Sequence, residues 1–172
     1  QFHLQAGAVS QVAQPELLAE FPAAWTAQHQ LNGLANLLVT FRDTSVDDFS
    51  RVYPQGRPSV EVVVRGVKVY DPRTLTTLYS DNAALIIRDY LLSADGLNLD
   101  AAQVSDPSFA AFADVCDQVV VTNAGSEPRY RLWLSYSLED DPKSVLARML
   151  AACDAELHQT PDGLVAVRGG EY

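Results

Sequence analysis

The chain is poor in the residues from which catalytic and metal chemistry is usually built. Its 172 residues include two cysteines, three histidines and one methionine. No CxxC or Cys/His metal-ligand spacing occurs, and GxSxG, P-loop and GxGxxG motifs are all absent; "VRGGEY" is only a tail with two glycines. Basic residues are scarce as well. Twelve Lys and Arg stand against 22 Asp and Glu, giving a net charge of −10, which argues against wrapping nucleic acid and against an anionic membrane surface. No apolar run approaches the ~18 residues that a membrane-spanning helix needs, so no membrane insertion is expected. The opening "QFHLQAGAVSQV" lacks a basic region followed by an apolar one and does not read as a signal peptide; a start at Gln1 suggests a piece of a longer chain.

What is present is the pattern of a folded α+β protein. Hydrophobic residues make up 48% and charged residues 20%, and a chain of this size buries ~70% of its unfolded surface as one domain or two small lobes. Residues 1–33 read as an irregular N-terminal segment, with a short helix at Pro15–Glu20 opened by Gln14. Residues 34–80 read as a small antiparallel β unit. In it, "LANLLVTFR" (Leu34–Arg42) is a strand, Asp43–Ser59 is a long polar loop carrying Phe49 and Tyr53, and "VEVVVRGVKVY" places Val60, Val62 and Val64 on one strand face. Gly66 suggests a bulge or tight turn there.

Residues 81–172 read as a mixed sheet with three helices. The first runs over Ala83–Leu92, capped by Asn82, with Ala83, Ile86, Ile87, Tyr90 and Leu91 as its apolar stripe. The second opens at Asp106-Pro107 as cap and first helical residue, and buries Phe109, Phe112, Ala113 and Cys116. The third opens in the same way at Asp141-Pro142 and buries Val145, Leu146, Met149, Ala152 and Cys153. Both cysteines are therefore expected as buried free thiols, with a disulfide as the alternative. "RYRLWLSYSL" alternates as a strand, with Tyr130, Leu132, Leu134, Tyr136 and Leu138 on one face. "LHQTPDGLVAV" is a hairpin turning at Pro161-Asp162-Gly163.

Candidate chemistry is thin. His3, His29 and His158 are scattered and read as surface or capping residues. The acidic run Glu139-Asp140-Asp141 suits a helix start, where carboxylates meet the positive end of the dipole. "DTSVDD" reads as a solvated loop, with a cation site as the alternative. Expected, then, are no enzymatic activity, no cofactor and no metal. One side chain stands out: Trp133 lies on the polar face of its strand with Arg129 and Arg131. Either another element of the fold covers it, or it meets a neighbouring subunit, where Trp and Arg are enriched.

Five stretches carry a resemblance. "WTAQHQLNGLANLLV", "RGVKVYDPRT", "SDNAALIIRDYLLS", "DPSFAAFADVCDQ" and "RYRLWLSYSLEDDPKSVLARMLAACDAEL" occur in the order seen in tail tip proteins of long-tailed bacteriophages. The chain resembles the central hub segment of the host specificity (tip attachment) protein J family, to which gene transfer agent hub proteins are related. Ala83 stands where the family usually has proline. The resemblance implies that residues 34–80 and 81–172 are two hub subdomains joined at Asp71-Pro72-Arg73 and Asn82. It further implies a structural, trimeric component of the virion tail tip, contacting copies of itself and other tail tip and tail tube proteins. A receptor- or glycan-binding module is the rival reading, and a cell wall hydrolase a distant third.

Overall fold

The computed structural model describes residues 1–41, 44–123 and 125–170. Its elements fall into two compact units, Gln1–Val62 and Val63–Tyr172, each described by itself.

The first unit is built on a strand pair that the sequence reading did not contain. The strand β1 (Phe2–Ala6) pairs antiparallel with β2 (Ala35–Val39), Phe2 opposite Val39 and Ala6 opposite Ala35. Residues 1–33 are therefore not irregular: their alternation is too short and polar to read alone, and only the distant partner makes it a strand. Gly7 adopts a positive φ of 80°, and a Cβ there would sit 2.8 Å from the Ala35 nitrogen, so the close approach requires glycine. The helix α1 (Pro15–Glu20) starts with proline, as expected. Gln14 does not cap it; its Nε2 donates instead to Asn36 Oδ1 at 2.8 Å and ties α1 to β2.

The expected Asp43–Ser59 loop contains a helix, α2 (Val46–Val52). Ser45 caps it, its Oγ accepting the Asp48 N–H at 3.2 Å, and Arg51 pairs with Asp48 at 2.9 Å. Arg42, the end of the expected strand, and Asp43, the start of the loop, lie outside the described residues. Among the described residues of this unit, Ala13 and Gln14 are the only ones buried.

The second unit holds the hydrophobic core. The hairpin β3 (Lys68–Asp71) and β4 (Thr76–Tyr79) leads into α3 (Ala83–Leu92), a short 3-10 turn (Ala101–Gln103) and α4 (Asp106–Asp117). A second hairpin, β5 (Val119–Thr122) and β6 (Gly125–Pro128), is followed by α5 (Pro142–Ala152) and the hairpin β7 (Ala155–Gln159) and β8 (Val165–Gly169). The core joins Val69 of β3, Ala84, Leu85, Ile87 and Leu91 of α3, Phe109, Phe112 and Cys116 of α4, Val145 and Met149 of α5, and Val167 of β8. The strand β8 lies tight on α4. The Ser108 hydroxyl donates to the Val167 carbonyl at 2.7 Å and accepts the Val167 N–H at 2.9 Å, and a Cβ on Gly169 would come within 1.8 Å of the Phe112 ring. Thus the β3–β4 hairpin packs with the helices, and the boundary falls near residue 62 rather than 80.

Several expected features change here. Among the described residues the strands of this unit make three separate two-stranded antiparallel sheets, not one mixed sheet. Val60–Val67 forms no strand, and Thr76–Tyr79, just after the Asp71-Pro72-Arg73 turn, does. Ala152 is exposed and Leu146 half-buried. Arg129–Leu138 contains one isolated bridge, Asn82 to Arg131, and no strand. Its alternation is nevertheless real: Leu132 is buried and Tyr130, Leu134 and Tyr136 are half-buried, while Arg131, Trp133, Ser135 and Ser137 are exposed. Leu138, expected inward, is 75% exposed. Alternation records which side chains face the core; a ladder also needs a neighbouring backbone.

Candidate functional site

The punctuation residues assemble the second unit. Asp71-Pro72-Arg73 ends β3 in a turn where Arg73 is clamped. Its backbone N–H and Nε donate to Asp71 Oδ1 at 2.9 and 3.0 Å, its Nη2 donates to Asp71 Oδ2 at 2.8 Å, and its Nη1 reaches Asp114 at 2.8 Å and Asp117 at 2.9 Å. One guanidinium thereby binds the hairpin to the exposed side of α4, using the fixed fork that lets arginine hold several carboxylates. The hydrogen bonds from Arg73 hold the Asp71 carboxyl below its usual range, and Asp71 in turn raises the pKa of Arg73.

A pH dependence follows. A carboxyl with a depressed folded-state pKa contributes stability that is complete above its unfolded value, about 3.9, and is lost as pH falls through the folded value. Urea titrations should show the chain losing stability below about pH 4. An Arg73→Gln variant should start lower at neutral pH and show a flatter acid limb. Parallel acid limbs in the two proteins would remove the clamp from the account.

Asn82 is the second joint. Its Oδ1 accepts the N–H groups of Ala84 (3.1 Å) and Leu85 (3.4 Å), and its Nδ2 donates to the Ala113 carbonyl in α4 at 2.9 Å. At Asp106-Pro107 the expected cap moves by one residue. Ser105 is the N-cap, with no side-chain capping bond. Asp106 instead receives Arg88 Nε at 2.8 Å and Nη2 at 2.7 Å. Arg88 is buried, stacked over the Tyr70 ring at 5.0 Å. Nothing in the sequence pattern marked this arginine, which lies within an otherwise apolar helix; a buried cation needs a partner, and the acid opening the next helix supplies it.

Asp141 caps α5: its Oδ2 accepts the Ser144 N–H at 3.0 Å and the Ser144 hydroxyl at 2.9 Å, and these bonds depress its pKa. Asp141→Ala should lower the melting temperature by about 2–4 °C, read by calorimetry. No change would mean that the cap does not hold the helix start.

Burial pushes the thiols of Cys116 and Cys153 up to about 12 and about 11, and both are free, so neither is an activated nucleophile. Among the described residues no group of three or more His, Cys, Asp and Glu could hold a metal ion. His3 binds Glu16 at 2.9 Å, and His29 Nδ1 accepts the Thr26 N–H at 3.0 Å while stacking on Trp25.

The remaining candidates divide between the two units. Phe49 and Tyr53 meet in the first, ring centroids 5.4 Å apart, and Tyr53 also meets Phe41 edge-on at 6.4 Å. Arg129, Arg131 and Trp133 lie together in the second. Arg129 Nε donates to Gln118 Oε1 at 3.1 Å, and Arg131 pairs with Asp81 at 3.3 Å, so both arginines anchor the segment in its own chain. Trp133 is 68% exposed, which removes the expectation that another described element covers it. It lines a groove of about 470 Å³ together with Val64, Val67, Tyr79, Ile86, Tyr90 and the other residues of Leu132–Tyr136, among others. This groove is the feature that sequence reading could not find, because its lining is gathered from four stretches of chain. Neither a protein-family model nor a curated protein matches the chain.

Proposed function

We propose that the chain is a structural component of the tail tip hub of a long-tailed bacteriophage or gene transfer agent, adapting the tail tube to receptor-binding parts and taking part in host attachment and DNA delivery. The observation that carries this reading is where the family-like motifs fall. Asp71-Pro72-Arg73, Asn82, Asp106 and Asp141 all serve turns, caps and inter-element bonds, and the exposed chemistry is an aromatic and apolar surface suited to protein contact. By the resemblance, the working state is a ring of three copies, and a ring needs two different patches of each copy to meet. The charge of −10 suits a channel through which DNA passes without sticking. The test is to map the chain in intact tails by electron microscopy. Copies arranged around the tail axis, and loss of infectious tails in Trp133→Ala with the isolated chain still folded, are expected; purified tails lacking the chain would overturn the reading.

The exposed Trp133 beside the groove favours a second reading, direct binding of a host glycan or surface protein. Binding of purified chain to host envelope fractions, abolished by Trp133→Ala, would select it.

A further inference from the structure

Two apolar segments lack ladder partners among the described residues. One is Leu132–Ser137: past the Asn82–Arg131 bridge and the bond from the Leu132 N–H to the Asp81 carbonyl (2.9 Å) it joins no ladder among the described residues, and its burial alternates as in a strand. Unpaired strand-like backbone is a template for another strand. The other is Val60–Val64, at the junction of the two units, whose valines are exposed, Val63 completely. Five such residues extend about 17 Å, the same length as Leu132–Tyr136.

The charges of the two segments' surroundings are opposite. Asp89 and Asp95 line the groove, and neither is ion-paired among the described residues. Burial raises the pKa of Asp89 against the opposing charge of Arg88. The valine strip is flanked by Arg57 and Arg65, which also make no ion pair among the described residues, Arg65 resting over the Tyr79 ring at 5.5 Å.

We propose that the groove takes the Val60–Val64 strip of a second copy of this chain as an added β-strand along Leu132–Ser137. Backbone hydrogen bonds supply the affinity, alternate valines enter the apolar groove, and the flanking arginines reach Asp89 and Asp95. The slot segment Leu132–Ser137 and the strip are different stretches that meet only at Val64, which lines the groove of its own copy, so the contact is heterologous and propagates from copy to copy until it closes. It deepens the hub reading by naming the patches, but it is tested in solution, independently of any particle.

One added strand is a small interface, so the dissociation constant should be on the order of 10–100 µM, and sedimentation should show concentration-dependent assembly. Val62→Pro removes a donor from the strip and Ser135→Pro one from the slot; both positions are exposed and outside ladders, and circular dichroism checks that each variant folds. Each variant alone should bind itself at least ~10-fold more weakly. Mixed, they should form a one-to-one dimer that grows no further, because one intact slot meets one intact strip. A peptide of residues 58–66 should compete with assembly, and its Val62→Pro form should not. A wild-type chain that stays monomeric overturns the proposal, as does a dimer indifferent to both prolines, or a mixture that stays monomeric. If the chain assembles in this way but is missing from tails, the hub reading fails and the strand addition stands.

Discussion

Phe109→Ala is expected to destabilise the second unit by about 3–5 kcal/mol, the range for truncating a buried aromatic. Phe109 is the largest of the fully buried side chains, at 0% exposure, and lies in the same stripe of α4 as Phe112, Ala113 and Cys116. The lost atoms leave a void on the face of α4 that meets the core. That face cannot easily collapse, since the Ser108–Val167 hydrogen bonds and the close fit of Gly169 on Phe112 hold β8 in place. Small domains are stable by only about 5–15 kcal/mol, so the variant should lie near the edge of unfolding at 37 °C. Urea denaturation followed by circular dichroism reads the effect. Phe109→Leu, which keeps most of the volume, should recover the greater part of it. A loss below about 1 kcal/mol in the alanine variant would mean that the stripe is not the core of this unit.

Asn82→Ala is expected to cost about 2–4 kcal/mol, more than an ordinary cap. A capping side chain alone is worth about 1 kcal/mol. Asn82 is also 3% exposed, and its Nδ2 is a hydrogen-bond donor to the buried Ala113 carbonyl. The truncation therefore strands an acceptor where water cannot replace the donor, adding about 1–3 kcal/mol. Comparison with Asp141→Ala separates the parts, since Asp141 makes the same kind of cap from an exposed position and reaches only Ser144. Equal losses in the two variants, measured by calorimetry, would show that the bond to Ala113 contributes nothing.

Asn82 also shows how far the sequence reads. A residue of its type before an apolar helical stripe is a local signal, and local signals were legible: α3 spans Ala83–Leu92 as its periodicity required, and the Pro161-Asp162-Gly163 turn, with Gly163 at a φ of 85°, closes the last hairpin. Ser45, three residues before Asp48, was equally legible as the start of α2 but was hidden by the polar look of its loop. Asp106 has the local pattern of a cap yet serves as an ion-pair partner, because Arg88 lies 18 positions earlier. The second function of Asn82, the bond to Ala113 across 31 positions, was not legible at all.

What the sequence determined by itself was therefore whatever depends on neighbours along the chain: helix stripes, caps, tight turns, and the in-and-out alternation of Tyr130–Ser137. Only the tertiary structure decided what depends on distant backbone. It paired Phe2–Ala6 with Ala35–Val39, left Leu132–Ser137 and Val60–Val64 outside any ladder among the described residues, drew Arg73 onto α4, and opened the groove at Trp133. The physical reason is the reach of the interactions. A cap or a turn is completed within a few residues, whereas a ladder, a buried ion pair or a groove is completed by whichever remote segment the fold brings alongside.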